Sequence, residues 1–269
     1  MIIDFHFHVA RIEQLLPWAR GWSSKYGIDS DAILNQETIG QFLASEGVDY
    51  AVALAELSPV TTGWVSNEFV ADFCRTTPAL IPFANINPYV ISRPAETLTH
   101  YIQEMGFRGL KLLPSYQYFY PNDPLLYPIY EKAQALKIPV LIHTGSSTFK
   151  GTRIKYADPL YLDDVAVDFP ELVIVQAHGG RGFWYDRAFF MAKVHPHVYL
   201  EISGLPPQKI LEYFPQLEDE ADKIIFGSDW PGIPGIKKNI EAIRNLPLKE
   251  ETKDKILGFN AARILGITV

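Results

Sequence analysis

Five side chains that can bind a divalent metal follow four short apolar runs of the chain. The runs read IIDFHFH, PVLIHTG, VIVQAHGG and IIFGSDWP, and the side chains are His6, His8, His143, His178 and Asp229. A parallel α/β barrel carries its chemistry at the carboxyl ends of its strands. Five such residues, each leaving a strand-like run, therefore predict a single site that is assembled from several strand ends.

The His-x-His pair of the first run is the part of this pattern with the clearest geometry. Alternate side chains of a strand point to the same face, so His6 and His8 can both reach one ion. Imidazole and carboxylate ligands suit Zn²⁺, and also Mn²⁺ or Fe²⁺. An isolated His-x-His pair would be unremarkable, but three further strand ends carry ligands. We expect one divalent metal ion, with zinc as the first choice.

Short β-branched runs alternate with longer amphipathic segments along the whole chain. The interval between successive runs is long enough for a crossover helix, which parallel pairing requires. The alternative, an open doubly wound sheet, would place a Gly-rich phosphate turn after its first strand, and none follows His8. The pattern therefore predicts an α/β fold, a (β/α)8 TIM barrel. Its strands are predicted at 2–7, 49–56, 80–86, 107–113, 138–143, 171–177, 197–202 and 223–228.

The length and the segments between the strands fit one barrel domain over residues 1–269. A barrel of this kind needs about 250 residues. The long first interval predicts an inserted loop near 9–35. Helices are expected at 36–46, after the cap-like pair Asp123-Pro124, and at 250–265, where the last helix would close the barrel.

Composition excludes several classes of partner. The net charge of −7 argues against a nucleic-acid surface, which needs clustered Lys and Arg. No signal peptide and no apolar run of about 20 residues is present, so no membrane association is expected. The single cysteine, Cys74, suits a reducing cytoplasm. We expect a cytoplasmic protein whose partner is a small-molecule substrate.

Six sequence blocks together resemble the metal-dependent amidohydrolase superfamily, and specifically its amidohydrolase-related branch. The blocks are GFRGLKLLP, NDPLLYPIYEKAQALKIPVLIHTG, QAHGG, VYLEISG, FGSDWP and FNAARILGI. The branch includes aminocarboxymuconate-semialdehyde decarboxylase and TIM-barrel enzymes that hydrolyse lactones or amides. The resemblance covers nearly the whole chain and implies a TIM barrel of the metallo-dependent hydrolase type, without specifying the reaction.

The resemblance also implies roles for the five side chains. His6, His8, His143 and Asp229 would hold one metal ion, and His178 would stand beside it as a catalytic histidine. A metal-bound water has its pKa lowered toward about 7. Asp229, the second predicted catalytic residue, can take the proton of that water, and His178 can position the water or polarise the group under attack.

Lys111 leaves a second metal stoichiometry open. It lies in GLKLL, on the fourth predicted strand, and is expected to point into the barrel. Binuclear members of the superfamily carry a carboxylated lysine on this strand, which bridges two ions. The branch resemblance instead implies one ion, with Lys111 buried or contacting the substrate.

Four side chains near the strand ends are candidates for substrate binding: Arg181, Lys111, Trp230 and Tyr116. Aromatic walls with cationic groups suit a planar or ring-like carboxylate, because Arg pairs with carboxylate through two hydrogen bonds. Glu201 and Ser203 alternate inward on the seventh predicted strand and could reach the pocket floor. A buried Glu201 would need a partner, for which Lys111 is a candidate.

Three functions fit these residues. The first is metal-dependent hydrolysis, by metal-activated water, of a small amide, lactone or ester that is expected to be carboxylated or cyclic. The alternative is metal-dependent, non-hydrolytic decarboxylation of an unsaturated or aromatic acid, in which Asp229 or His178 delivers a proton to carbon. The third, a non-catalytic metal-binding protein, is disfavoured because no ligand position is lost. The resemblance makes a homodimer an expectation.

Overall fold

A computed structural model of the protein describes residues 1–21, 34–233 and 235–268. The strands in this part of the chain are β1 (Ile3–His8), β2 (Tyr50–Leu54), β3 (Glu56–Ser58), β4 (Gly63–Val65), β5 (Leu80–Asn85), β6 (Gly109–Leu112), β7 (Val140–His143), β8 (Ile174–Ala177), β9 (Val198–Glu201) and β10 (Ile224–Ile225). Eight of them form one parallel sheet in the order β1-β2-β5-β6-β7-β8-β9-β10. The predicted (β/α)8 barrel and its eight strands are confirmed.

The sheet curls until its last strand meets its first. The Phe5 amide donates to the Phe226 carbonyl at 3.0 Å, the Asp229 amide to the His6 carbonyl at 2.9 Å, and the His8 amide to the Trp230 carbonyl at 2.9 Å. These bonds continue the pairing beyond the two residues of β10. The segment that carries Asp229 is thereby tied directly to the strand that carries His6 and His8.

Helices pack around the outside of the barrel. They are α1 (Ile39–Ser45), α2 (Asn67–Cys74), α3 (Pro94–Glu104), α4 (Pro114–Gln117), α5 (Tyr127–Ala135), α6 (Leu162–Asp168), α7 (Tyr185–Val194), α8 (Ile210–Tyr213), α9 (Ile236–Arg244), α10 (Glu250–Asp254) and α11 (Asn260–Leu265). Short 3-10 turns cover Ile12–Gln14, Pro124–Leu126, Ile154–Ala157, Pro159–Tyr161, His178–Gly180, Pro207–Lys209 and Leu217–Lys223.

Two of the predicted helix boundaries are refined by the structure. The Asp123 side chain does cap a helical turn, since it accepts the Leu125 amide, but that turn is 3-10 and precedes α5. The predicted final helix is divided into α10, a π-helical turn at Lys255–Phe259, and α11. Among the described residues, no helix has the length and apolar character that crossing a membrane would require.

An antiparallel hairpin of β3 and β4, which the sequence pattern did not predict, follows β2. It contacts the first loop of the chain: Leu15 bridges to Gly63, and the Leu16 amide donates to the Thr62 carbonyl at 2.8 Å. Residues 22–33 of the predicted inserted loop lie outside the described part of the chain. The described part of that loop therefore rests on a hairpin at the same end of the barrel.

The buried apolar side chains form two layers. The larger layer fills the space between the strands and the surrounding helices. The smaller one fills the barrel lumen and includes Phe5 and Phe83, whose rings meet edge to face with centroids 5.5 Å apart. These two rings are part of the apolar packing that fills the lower lumen.

A register shift in β1 brings two neighbouring residues into the lumen. Pairing with β2 is irregular between Asp4 and Phe7, and one Asp4 carboxylate oxygen accepts the His6 amide at 3.1 Å. Phe5 belongs to the lumen layer, whereas Phe7 packs in the outer layer. Because a bulge changes the alternation of a strand, His6 can follow Phe5 on the inner side.

Candidate active site

All five predicted metal-binding side chains line one cavity at the carboxyl ends of the strands. The cavity encloses about 310 Å³ and is lined by His6, His8, His143, His178 and Asp229. His6 and His8 lie on β1, and His143 is the last residue of β7. His178 directly follows β8, and Asp229 follows β10. The barrel thus brings together residues that are up to 223 positions apart in the sequence.

The ligand atoms face one another at short distances. Asp229 Oδ1 lies 3.6 Å from His6 Nε2 and 3.4 Å from His8 Nε2. The His178 ring lies 4.8 Å, centroid to centroid, from both the His6 and the His143 ring. Potential ligand atoms of His6, His178 and Asp229 all fall within 4.8 Å of one another. The geometry therefore places His178 as close to the cluster as the residues predicted to be ligands.

Two of these residues have left-handed backbone conformations. The φ angle is 62° at His178 and 64° at Asp229, and neither residue is glycine. Such a conformation is unfavourable for residues with a side chain and persists where the surrounding structure enforces it. Both residues leave their strands at these angles, which turns their side chains over the mouth of the barrel toward the other ligands.

The chemistry of the donors fits a divalent metal ion. Burial, reinforced by neighbouring positive charge, holds the pKa of His6, His143 and His178 well below the ordinary value of histidine. The imidazoles are therefore neutral, which is the form that binds metals. The buried His143 Nε2 has no hydrogen-bond partner among the described residues. An unsatisfied nitrogen that faces a cluster of imidazole and carboxylate atoms is the observation that best supports a metal site.

Lys111 and Arg181, the two cationic residues predicted to bind the substrate, line the same cavity. Lys111 Nζ is buried 3.4 Å from His6 Nε2, and burial lowers the pKa of Lys111. The Arg181 guanidinium donates to the Ser146 carbonyl at 3.0 Å and lies 3.6 Å from Asp229 Oδ2. Both cations are thus next to the metal-binding cluster.

Glycine at position 204 permits this position of Arg181. Its backbone has a φ angle of 66°, and a Cβ at this site would collide with the Arg181 guanidinium and lie 3.0 Å from Asp229 Oδ2. Any larger residue would have to displace one of these two groups. The Gly in VYLEISG is therefore required by a close approach in the site.

Tyr116 lies where the sequence analysis expected it, and Trp230 does not. Tyr116 lines the cavity, sets its ring edge against His143 with centroids 5.0 Å apart, and hydrogen-bonds Ser147 Oγ at 2.7 Å. Trp230 is instead stacked on Phe7 in the outer apolar layer, with centroids 4.6 Å apart, and is 2% exposed. The predicted substrate contact of Trp230 is corrected: the turn after Asp229 directs the indole away from the cavity.

Glu56 was missed by the sequence analysis. It begins β3, lines the cavity and accepts a hydrogen bond from Thr62 Oγ1 on the loop that joins β3 to β4. The sequence did contain an indication of this role. Glu56 follows the apolar run of β2, just as the site histidines lie at the ends of their own strand-like runs. The cavity therefore contains a second carboxylate besides Asp229.

Glu201 and Ser203 are buried as predicted, but they lie behind the histidines. Neither is among the described residues that line the cavity. The hydrogen-bonding partners of the Glu201 carboxylate are His6, Ser203 and the His178 amide, and no hydrogen bond joins it to Lys111. The Lys111 charge still acts on Glu201, where it opposes the rise in pKa that burial causes, but the direct contacts of the carboxylate are with the site histidines and Ser203.

Comparisons with known proteins identify the family of the chain. The family model described as amidohydrolase matches residues 3–267. The 2-amino-3-carboxymuconate-6-semialdehyde decarboxylase of Dictyostelium discoideum is 24% identical over 209 residues, which are 64% of this chain and 57% of that protein. The chain thus matches little more than half the length of this curated relative.

Solved structures share the fold over nearly the whole chain. An uncharacterised TIM-barrel protein of Bordetella bronchiseptica is 26% identical with a TM-score of 0.83, and the match covers 99% of this chain and 98% of that one. A dihydroxybenzoic acid decarboxylase of Polaromonas sp. JS666, solved with bound manganese and the inhibitor 2-nitroresorcinol, is 18% identical with a TM-score of 0.70. That match covers 99% of this chain and 97% of the other.

Proposed function

The chain belongs to the amidohydrolase family, and we propose that it is a metal-dependent decarboxylase of a small unsaturated or aromatic carboxylic acid. The sequence analysis ranked hydrolysis first and decarboxylation second. The comparisons favour the second, because the curated relative and the manganese-containing neighbour are both named as decarboxylases.

The observation that carries the proposal is the pairing of two cations with the metal-binding cluster in one cavity. Lys111 and Arg181 both line it, and both lie within 4 Å of a predicted ligand atom. Two cationic groups suit a substrate that enters as a carboxylate. A neutral ester, lactone or amide offers no negative charge to either of these groups.

His6, His8, His143 and Asp229 are the proposed ligands of one divalent ion, with zinc as the first choice for this donor set. Manganese is the alternative, since it is the ion bound in the Polaromonas structure. When bound, such an ion would draw electron density from a substrate oxygen and stabilise the negative charge that develops on the substrate. A second ion with a carboxylated Lys111 is the less favoured stoichiometry.

The remaining residues bind the substrate and supply a proton. Arg181 and Lys111 orient the carboxylate, and Tyr116 forms part of the wall beside His143. As the bond from carbon to the carboxyl group breaks, its electron pair stays on the substrate carbon and carbon dioxide leaves. A proton must replace it there, and Asp229 and His178 are the proposed residues that take up a proton from solvent and pass it to that carbon.

The test is a screen for carbon dioxide release by protein whose metal content has been measured. The substrates are hydroxybenzoates and muconate-type acids, run beside a panel of lactones, esters and amides. We expect release of carbon dioxide that a chelator abolishes and added metal restores. Hydrolysis of a lactone or amide without carbon dioxide release would overturn the proposal in favour of a hydrolase. His100→Ala, an exposed histidine on α3, is the control variant.

A further inference from the structure

One buried carboxylate and one buried hydroxyl connect two histidines of the site from behind. Glu201 ends β9, and both Glu201 and Ser203 are fully buried. Ser203 Oγ lies 3.1 Å from His6 Nδ1 and 3.0 Å from His178 Nδ1. Glu201 Oε2 lies 3.2 Å from His6 Nδ1. We call these two residues the Glu201–Ser203 pair.

The hydrogen bonds determine which ring nitrogen of His178 carries the proton. Ser203 Oγ donates to Glu201 Oε2 at 2.8 Å, so the hydroxyl offers only lone pairs to the imidazoles. His178 Nδ1 also lies 3.1 Å from the Ser203 carbonyl oxygen, which can only accept. Both neighbours of this nitrogen are acceptors, and therefore His178 Nδ1 must be the protonated atom of a neutral ring.

The same reasoning applies to His6. The Glu201 carboxylate accepts the Ser203 amide at 2.6 Å and the His178 amide at 3.3 Å, in addition to the Ser203 hydroxyl. An ionised carboxylate can only accept hydrogen bonds, and the Lys111 ammonium, 3.4 Å from His6 Nε2, can only donate. The nitrogen that faces the carboxylate, His6 Nδ1, then donates. Its Nε2 lone pair faces the cavity, where Lys111 Nζ lies 3.4 Å and Asp229 Oδ1 3.6 Å away.

We propose that the Glu201–Ser203 pair is a shared positioning unit, which holds His6 and His178 in the same tautomer and presents both Nε2 lone pairs to the metal-binding cluster. The inference rests on the metal site of the proposed function. It assigns a role to two residues that do not line the cavity. It also couples the orientation of His6, a proposed metal ligand, to that of His178, the predicted catalytic histidine, because the Ser203 hydroxyl contacts both rings.

The substitution Glu201→Gln would distinguish the positioning role of the carboxylate from a role in filling space, because it keeps the volume and removes the charge. Gly227 lies so close to Glu201 Oε1 that a Cβ there would collide with it, so the carboxyl group has no room to move. In Glu201→Gln the amide nitrogen cannot accept a hydrogen bond. It must face donors on one side, the Ser203 amide or His6 Nδ1, whichever way the amide is turned. The side-chain volume is retained, while the hydrogen bond to either the Ser203 amide or His6 Nδ1 is lost.

The experiment is a titration of metal-free protein with Co²⁺, followed by the visible spectrum of the bound ion. Outer contacts of metal-binding histidines are commonly worth about 10–100-fold in metal affinity. We expect Glu201→Gln and Ser203→Ala to weaken Co²⁺ binding within that range and to change the spectrum. The matched control is Ser115→Ala, a buried serine near the same strand ends whose hydroxyl has no partner among the described residues.

A second readout needs no metal. In ¹⁵N-histidine spectra of the metal-free protein, we expect His6 and His178 both to carry the proton on Nδ1, and at least one of them to lose this preference in Ser203→Ala. If Glu201→Gln does not fold, both the Co²⁺ titration and the ¹⁵N-histidine spectra are measured on Ser203→Ala. Folded variants that bind Co²⁺ within about twofold of the wild type and of Ser115→Ala, with unchanged spectra, would overturn the inference.

The outcomes also separate this inference from the proposed function. Weakened Co²⁺ binding in the variants, with no carbon dioxide release by the wild type, would sustain the positioning role and reject decarboxylation. Carbon dioxide release by the wild type, together with unchanged Co²⁺ binding in both variants, would support decarboxylation and reject the positioning role. A wild-type protein that binds no Co²⁺ would reject both.

Discussion

The lower and upper halves of the barrel lumen are built by the same strands and have opposite character. The lower half is apolar and includes Phe5 and Phe83. The upper half holds His6, Lys111 and Glu201, all buried and all ionisable. On β1 the change occurs between two consecutive residues, Phe5 and His6. The comparison teaches that a barrel can separate the source of its stability from its chemistry by a few ångströms along each strand.

The physical cost of the two halves differs accordingly. Burial of aromatic and aliphatic groups stabilises the lower half. Burial of charged groups destabilises the upper half unless they are paired and hydrogen-bonded. The upper half also contains left-handed backbone at His178 and Asp229. We therefore expect substitutions in the upper half to affect metal binding and turnover, and those in the lower half to affect the free energy of unfolding.

The largest effect is expected for His143→Ala. Its Nε2 is an unsatisfied nitrogen of the cluster, so its removal should lower the bound metal per chain and, through that loss, reduce kcat/KM by about 10⁴-fold or more. Elemental analysis and steady-state rates are the measurements, with His100→Ala as control. A variant that retains its metal and its rate would remove His143 from the site.

His178→Ala should reduce turnover by about 10²–10⁴-fold, the usual contribution of a positioned acid or base, while the protein keeps its metal. The metal content of this variant distinguishes a site with one metal ion from a site with two. The His178 ring is as close to the cluster as those of the predicted ligands. Metal analysis of the variant beside the wild type is therefore the sharper measurement, and loss of an ion would favour the binuclear site with a carboxylated Lys111.

Phe83→Ala tests the lower half in isolation. The Phe83 ring is fully buried against Phe5, and a Cβ at Gly109 would strike it. Truncation of a buried Phe should cost about 3–5 kcal/mol of unfolding free energy. Denaturant unfolding measures this cost, and the metal per folded chain should stay at the wild-type value. Loss of metal from the folded variant would contradict the separation of the two halves.

The smallest expected effect is a change in the acid sensitivity of the chelated protein. The pKa of His143 is lowered by burial in the folded state, so below about pH 6.5 the unfolded chain binds a proton that the folded chain does not. Stability should fall with falling pH by up to about 1.4 kcal/mol per pH unit from this residue. In His143→Gln the slope between about pH 6.5 and 5 should be shallower by that amount. Parallel curves for the two proteins would show that His143 is not a buried neutral base.

The strands and most of the site could be predicted because they depend on local patterns. All eight predicted strands are present, and His6, His8, His143, His178 and Asp229 line one cavity. Residues at the carboxyl ends of parallel strands converge whatever the details of packing. Lys111, Arg181 and Tyr116 line the cavity for the same reason. The hairpin of β3 and β4 was missed because its strands are only three residues each.

What the sequence by itself determined is the order of strands and helices and the kinds of ligand at each strand end, since both follow from periodicity and residue type. The tertiary structure alone decided which way individual side chains turn. The irregular register of β1 places His6 beside Phe5 in the lumen, and the turn after Asp229 sends Trp230 outward. Contacts such as that of Glu201 with His6 join residues 195 positions apart, and no local pattern encodes such a distance.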